Sequence, residues 1–230
     1  MYFFNSGYFI FVMIPALIIS GWAQMKVKGA YAKWSKERNS GNLTGTDVAR
    51  RLVQAYGFGV SLEGTPNELG DHFDPRSGIV RLSPGVAQQP SIASMAIAAH
   101  EFGHVQQYAQ GSVLIKARGL ILPVAQYGSY LSYIFIIMGL LIHIAGFAWI
   151  GLGLFFFTTL FSVLTLPVEL DASRRAMKMM EESGMLLSQQ DRSGASAVLR
   201  AAAYTYVAAM AVSILNFIYY AMLVSRTFRD

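Results

Sequence analysis

Residues 145–166 read AGFAWIGLGLFFFTTLFSVLTL, an apolar run of 22 residues without Lys, Arg, Asp or Glu. As a helix rising about 1.5 Å per residue, this run is long enough to cross the roughly 30 Å hydrocarbon core of a bilayer. Three further uncharged apolar runs lie at about Tyr2–Trp22, Leu120–Ile142 and Ala203–Val224. Helices buried in a soluble core are usually shorter, and 54% of the chain is hydrophobic. The sequence therefore predicts an integral, multi-pass membrane protein, mainly α-helical, with about four transmembrane helices.

The distribution of basic residues predicts the orientation of these helices. Sixteen of the eighteen Lys and Arg residues lie in segments 23–119 and 167–202, and only Arg226 and Arg229 lie beyond the fourth run. Because cytoplasmic loops near membrane spans are enriched in Lys and Arg, both segments are expected in the cytoplasm. No basic residue precedes Lys26, so the first run is expected to be an anchor and not a cleavable signal peptide. The positive charge thus serves membrane orientation, and no fold for binding nucleic acid is visible.

The pentapeptide His100-Glu101-Phe102-Gly103-His104 carries the clearest chemical signal in the chain. On a helix, residues four apart share a face, so both imidazoles can bind one zinc ion. Zinc lowers the pKa of a coordinated water, and a glutamate at the second position of this motif can accept the proton. The small-residue run 91–99 before the motif favours a helix packed closely against its neighbours. Two His residues on one face also occur in ordinary protein cores, so the motif alone is a hypothesis.

A third zinc ligand is expected from the segment that follows the third apolar run. The second and third runs are separated only by a short turn at His143–Gly146, so the chain returns to the side of the pentapeptide. Pro167 suits the first position of a helix, which would place Glu169 in that helix's first turn. Ser173 lies four residues later, where its hydroxyl can support a ligand. Asp171 is the competing ligand, and thiolate ligands are excluded because the chain has no cysteine.

The segment between the first two spans predicts a small folded part. Thr44 and Asp47 have the spacing of a capping box, which predicts a helix to about Tyr56. The stretches Val60–Glu63 and Ile79–Ser83 alternate like strands, and the turn residues Asp74–Gly78 predict a hairpin between them. Together with residues 167–202, this part is expected to complete one membrane domain over residues 1–230.

Several separate motifs follow one another along nearly the whole chain: Asp71-His72-Phe73-Asp74-Pro75-Arg76, Val80-Arg81-Leu82-Ser83, Ala98-Ala99-His100-Glu101-Phe102-Gly103-His104, Leu166-Pro167-Val168-Glu169 and Ala172-Ser173-Arg174-Arg175-Ala176. Together they resemble the YugP-type neutral zinc metallopeptidases of bacterial membranes. A more distant likeness is to the HtpX and CAAX prenyl protease group, whose third ligand is the Glu of a Glu-x-x-Ala-Asp helix after a transmembrane hairpin. Glu169 and Ala172 match that pattern, and Ser173 stands where the Asp would be.

The resemblance implies a zinc-dependent, gluzincin-like endopeptidase of the bacterial cell membrane, with one Zn²⁺ per chain. In such peptidases a strand before the active helix pairs with an extended substrate, which makes Val80 and Arg81 candidate substrate contacts. Tyr206 is a candidate for stabilising an oxyanion, because its Thr-Tyr-Val-Ala-Ala run also resembles the YugP-type sequences. Arg174 could bind substrate carbonyl or carboxylate groups or anchor the chain at the membrane surface. Since Glu169 closely follows the third span, the expected substrates are membrane proteins or their juxtamembrane tails.

Two other functions fit parts of the sequence. A site-2-type intramembrane protease would use an Asp ligand, and Leu170-Asp171 partly matches its Leu-Asp-Gly element. Its motif helix would lie in the membrane, whereas Gln106–Gln110 makes this helix polar. A non-enzymatic membrane adaptor or chaperone would use the His residues for a structural metal site. The oligomeric state and the substrate's identity are left open by the sequence.

Overall fold

The computed structural model describes residues 6–68 and 70–228 and confirms a mainly α-helical fold. Residues 2–5 of the first predicted span, and Arg229, lie outside the described residues. The helices are α1 (Ser6–Trp34, with a π-helical turn at Phe9–Met13), α2 (Gly45–Tyr56), α3 (Pro84–Gln88), α4 (Ile92–Ala109), α5 (Val113–Leu141), α6 (Ala145–Glu182) and α7 (Gln189–Thr227). The strands are β1 (Ser61–Gly64), β2 (His72–Asp74) and β3 (Ile79–Leu82).

Four of these helices, α1, α5, α6 and α7, are long and apolar enough to cross a membrane. Their most apolar windows have mean hydropathies of 1.7, 1.5, 2.0 and 2.0, and the interior of the protein buries little of them. The predicted spans coincide with parts of these helices as far as the structure describes them, except that Ile142 lies one residue past the end of α5. Each helix also extends beyond its span at one end or both. The protein is therefore a multi-pass membrane protein.

The chain divides into two compact units, of which the first holds most of the apolar length. This membrane unit comprises residues 6–24, 116–167 and 205–228 of the described chain. Helices α5 and α6 form the predicted hairpin in it, and His143 lies in the connecting turn with a positive φ of 53°. A Cβ on Gly139 would lie 2.4 Å from the backbone nitrogen of Ala148, so glycine is what lets the two helices approach so closely. Small residues serve this purpose widely in membrane helices.

The second unit, called the soluble unit here, comprises residues 25–115 and 168–204. Its apolar core surrounds α4, along which Ala93, Ala96, Ala98 and Ala99 are fully buried. The close packing predicted for the helix that carries the pentapeptide is therefore confirmed. The rest of this core includes Val48, Leu52, Val80, Val86, Ile92, Met95, Phe102, Met179, Met180 and Met185.

Local helix signals in the soluble unit were predicted correctly. Helix α2 begins after Thr44, whose hydroxyl accepts from the Asp47 N–H while the Asp47 carboxylate accepts from the Thr44 N–H. It ends at Gly57, where a φ of 66° requires the left-handed conformation that glycine adopts easily. Ser188 and Asp191 form the same reciprocal pair at the start of α7.

The predicted hairpin was only partly right. The sheet has three strands in the order β1-β3-β2, with β1 parallel to β3 and β2 antiparallel to it. The turn at Pro75–Gly78 joins β2 to β3, and His72, expected in a turn, begins β2. Since β3 has a partner on each side, it offers no free edge for a substrate strand. The free edges belong to β1 and β2.

The predicted helix start at Pro167 was wrong. Pro167 lies inside α6, which runs without interruption from Ala145 to Glu182. A proline within a long helix removes one backbone hydrogen bond, which an established membrane helix tolerates. Glu169 is therefore on the interior of a long helix, one turn beyond Thr165.

Candidate metal centre

The two His residues of the pentapeptide stand on one face of α4, as their spacing predicted. Their ring centroids lie 4.9 Å apart. Helix α4 begins after Ser91, whose hydroxyl accepts from the Ser94 N–H, and it continues for 18 residues. The helix that carries both imidazole rings therefore packs into the apolar core of the soluble unit.

Glu169 completes a group of three potential metal ligands within the soluble unit. Its Oε2 lies 3.2 Å from His100 Nε2 and 3.5 Å from His104 Nε2. One donor atom from each residue lies within 4.8 Å of the others, and Glu169 is only 4% exposed. Asp171 is not a member of this group, which favours Glu169 over Asp171 as the third ligand.

A glycine lets α4 and α6 approach closely enough for this grouping. A Cβ on Gly103 would lie 2.3 Å from the backbone oxygen of Ala172, and Ala172 itself is fully buried. Gly103 lies between the two His residues in sequence, and Ala172 lies three residues after Glu169. The contact between the two backbones is therefore at the level of the candidate ligands.

Glu101 lies beside this group and is 7% exposed. Its Oε2 accepts a hydrogen bond of 2.9 Å from the backbone N–H of Phe73 in β2. Burial raises the pKa of Glu101 above its ordinary value, and the nearby His100 and His104 rings only partly oppose this. A carboxyl with a raised pKa, fixed by one hydrogen bond, suits a group that must both take and return a proton.

The nitrogen of each imidazole that faces away from Glu169 also has a partner. Ser173 Oγ lies 3.2 Å from His100 Nδ1, which is the contact expected for a supporting hydroxyl. Gln107 Oε1 lies 3.0 Å from His104 Nδ1. Sequence reasoning did not single out Gln107, although its position three residues after His104 places it on the same helix face.

The remaining predicted site residues are placed as follows. Val80 is fully buried in β3, so neither its side chain nor an edge of its backbone can meet a substrate, and we correct that prediction. Arg81 Nε pairs with Glu63 at 3.1 Å. The Arg174 side chain is 75% exposed and pairs with Asp171 at 3.0 Å. Tyr206 belongs to the membrane unit, and its role stays a prediction.

The donor set fits a zinc ion. Catalytic zinc sites commonly use two His nitrogens and one Glu oxygen and leave a position for water. His100, His104 and Glu169 supply this set, and Glu169 places a buried carboxylate between the two rings. The protein is therefore a multi-pass membrane protein with a candidate His₂Glu metal centre.

Comparison with known proteins identifies the family. The model of the family described as "Putative neutral zinc metallopeptidase" matches residues 9–225, and the chain belongs to this family. The chain is also 36% identical over 216 residues to the "Putative membrane protease YugP" of Bacillus subtilis, covering 94% of this chain and 96% of that protein. No solved structure matches the chain significantly.

Proposed function

We propose that this protein is a zinc-dependent endopeptidase of the bacterial cell membrane that cleaves membrane-associated or juxtamembrane peptide segments. The observation that carries the proposal is the buried group of His100, His104 and Glu169 with Glu101 beside it. The family match spans segments of both units, which supports one metallopeptidase formed by the whole chain. Because Glu169 lies only two residues past the membrane unit in the chain, we expect cleavage near the cytoplasmic membrane surface.

One zinc ion per chain, held by His100, His104 and Glu169, would polarise the scissile carbonyl and lower the pKa of a water molecule. Glu101 takes a proton from the attacking water, whose oxygen forms the new bond to the carbonyl carbon. Glu101 then delivers the proton to the leaving amine as the C–N bond breaks. The Phe73 N–H holds the Glu101 carboxylate in one orientation for both transfers.

The substrate backbone is expected along β2, not β3. Phe73 directs its N–H away from β3 toward Glu101, and in an antiparallel strand the carbonyl of the same residue points the same way. Since Glu101 already occupies the Phe73 N–H, we expect a substrate N–H close to Glu101 to donate to the Phe73 carbonyl on this edge of β2. We retain Arg81 and Arg174 as candidate contacts for substrate carbonyl or carboxylate groups, and Tyr206 as a candidate oxyanion donor.

The proposal is tested first by metal content in purified full-length protein supplied with saturating zinc. Elemental mass spectrometry should find about one zinc per chain in the wild type, in Glu101→Gln and in Asp171→Ala. Glu169→Ala should lose it. Loss in Asp171→Ala but not in Glu169→Ala would favour the site-2 type, and no zinc in the wild type would contradict the proposal.

The second test is catalysis. Hydrolysis of a quenched fluorescent peptide library, and the membrane proteome of cells that express each variant, should differ between wild type and Glu101→Gln. Glu101→Gln removes the proton acceptor while keeping the size of the side chain and the metal ligands. Equal hydrolysis and equal proteomes would instead support a non-enzymatic adaptor with a structural metal site.

A further inference from the structure

We propose that Gln107 is a positioning residue that sets the tautomer and the orientation of the His104 ring. It does so as the middle member of a hydrogen-bonded chain that runs from Arg175 through Asp171 to His104. The inference deepens the proposed function, because it rests on His104 being a metal ligand. It assigns a role to Gln107, a fully buried amide beside the candidate metal centre.

The position of Gln107 calls for complete hydrogen bonding. Its side chain is 0% exposed, and it lies on α4 with apolar residues of the core around it. A buried amide without partners would cost roughly 1–3 kcal/mol. Gln107 has three partners: His104 Nδ1 at 3.0 Å, the Val168 carbonyl at 2.9 Å and Asp171 Oδ2 at 2.8 Å.

These partners determine which end of the amide faces His104. The Val168 carbonyl and the Asp171 carboxylate can only accept hydrogen bonds, so the NH₂ group of Gln107 must point toward them. Its Oε1 then faces His104 Nδ1, and this oxygen can only accept. His104 must therefore carry a hydrogen on Nδ1. The other nitrogen, Nε2, faces Glu169 Oε2 at 3.5 Å and is left to bind a metal.

Two arginines hold the Asp171 carboxylate in place, so it supports the candidate metal centre without being one of its ligands. Arg175 Nε donates to Asp171 Oδ2 at 2.6 Å, and Arg174 Nη2 lies 3.0 Å from Oδ1. Arg175 also donates to the Gln106 and Gln110 side chains of α4. Arg175 and Asp171 thus tie α6 to α4 on the side of His104 that faces away from Glu169.

The partner of His100 Nδ1 constrains the tautomer of that ring less than Gln107 constrains the tautomer of His104. The partner of His100 Nδ1 is the Ser173 hydroxyl, at 3.2 Å. A hydroxyl rotates and can either donate or accept, so it does not select a tautomer. Of the two partners that face Nδ1, only the one beside His104 therefore selects a tautomer.

The test compares zinc affinity, measured by chelator competition, among full-length variants in detergent. Gln107→Met keeps the length of the side chain and removes both ends of the amide. We expect it to bind zinc roughly 10- to 100-fold more weakly than the wild type. The absorption spectrum of the Co²⁺-loaded protein should change with it, and the exchangeable Nδ1–H proton signal of His104 should exchange faster with solvent. Gln110→Met is the matched control, because Gln110 contacts Arg175 but not His104, and it should leave all three readouts unchanged.

A second set of variants exchanges hydrogen-bond donors and acceptors at Gln107 and Asp171. It tests whether Gln107 positions the His104 ring or only fills space in the core. Gln107→Glu places a carboxylate against Asp171 and the Val168 carbonyl and should weaken zinc binding at least as much as Gln107→Met. Arg175 Nε and the Gln107 NH₂ both donate to Asp171 Oδ2, so a donor placed at this oxygen's position requires that Arg175 be replaced as well. Adding Asp171→Asn together with Arg175→Met lets the Asn side chain donate to Glu at position 107, which still accepts from His104. We expect this triple variant to regain zinc affinity relative to Gln107→Glu with Arg175→Met. This comparison carries the test if Gln107→Met does not fold.

The outcomes distinguish this inference from the proposed function. Wild-type zinc affinity and an unchanged Co²⁺ spectrum in Gln107→Met would overturn the role of Gln107 while leaving the metal centre intact. A triple variant that binds no better than Gln107→Glu with Arg175→Met would overturn it as well. A wild type that binds no zinc would overturn both proposals.

Discussion

The membrane unit and the soluble unit differ in how strongly their buried polar side chains connect distant segments. In the membrane unit, Thr159 and Thr165 donate to carbonyls four residues earlier in their own helix, and the hydroxyls of Ser213 and Tyr8 add single bonds to Thr159 and Asn216 on other helices. In the soluble unit, Asn39, Gln107 and Asp191 bond to segments distant in the chain. Polar groups in a membrane helix can be satisfied locally, so that helix positions depend on shape. In the soluble unit, buried polar groups also specify which segments meet, and the candidate metal centre is built by this second means.

The strongest test of this contrast is Gly103→Ala, in the soluble unit. Its Cβ would lie 2.3 Å from the Ala172 backbone oxygen, so α4 and α6 would have to move apart. We expect a loss of about 3 kcal/mol in the free energy of unfolding, together with loss of bound zinc, because metal ligands tolerate displacements of only tenths of an ångström. Denaturant unfolding and elemental analysis would measure both. Gly29→Ala, a helical position of the same unit with open space, should change neither; retention of zinc in Gly103→Ala would contradict the prediction.

The corresponding change in the membrane unit is Gly139→Ala. Its Cβ would lie 2.4 Å from the Ala148 nitrogen, so the α5–α6 hairpin must widen. We expect a stability loss of about 2 kcal/mol by thermal unfolding in detergent, with zinc per folded chain unchanged because no candidate ligand belongs to this unit. Gly153→Ala, on α6 in open space, is the control. Loss of zinc from Gly139→Ala protein that is still fully folded would contradict this distinction between the two units.

A smaller effect is expected from Asp191→Ala, which removes a polar connection within the soluble unit. The carboxylate is 1% exposed and accepts from the backbone N–H groups of Ser40 and Ser188. Because two backbone donors would lose a buried, charged partner, the free energy of unfolding should fall by about 2 kcal/mol. Asp191→Asn keeps the shape of the side chain and one acceptor oxygen. Its free energy of unfolding should therefore lie between those of Asp191→Ala and the wild type. Equal stability of all three would show that this connection does not contribute.

The smallest effect concerns a local cap. Thr44→Ala should cost about 1 kcal/mol, whereas Thr165→Val in the membrane unit should cost less than about 0.5 kcal/mol, because its hydroxyl bonds only to its own helix. Equal costs would contradict the contrast between the units.

The Thr44 cap also predicts a pH dependence. Hydrogen bonds from the Thr44 hydroxyl and backbone lower the pKa of Asp47. Because the folded pKa is depressed, this contribution is fully present above the unfolded value of about 3.9 and is lost as pH falls through the folded pKa. Asp47→Asn should abolish this part of the pH dependence in unfolding experiments between pH 6 and pH 3, spanning roughly that pKa. A pH profile identical to that of the wild type would contradict it.

Local signals in the sequence were sufficient for much of this fold. The apolar runs predict the membrane helices because bilayer thickness sets their length. The Thr44–Asp47 box and Gly57 predict the bounds of α2, and four-residue spacing places His100 and His104 on one face, because each of these depends on residues within one or two helical turns. The grouping of Glu169 with the two His residues was also predicted, from the return of the chain after the hairpin.

Other features depend on distant partners and could not be predicted from local patterns. Pro167 has the same local signature at the first turn of a helix as inside one, and only the continuation of α6 distinguishes them. The turn at Pro75–Gly78 accounts for the pairing of β2 with β3, whereas the parallel pairing of β1 with β3 joins strands that no tight turn connects. Gln107 acquires its role from Val168 and Asp171, which lie some sixty residues further along the chain.

The order of the candidate ligands along the chain has a consequence for biosynthesis. His100 and His104 leave the ribosome before the segment Lys116–Pro167, and Glu169 follows that segment. A nascent chain that does not yet contain the membrane spans of α5 and α6 also lacks Glu169, the third candidate ligand. Assembly of the candidate metal centre therefore cannot precede synthesis of the α5–α6 hairpin, and an unfinished chain lacks the complete set of candidate ligands.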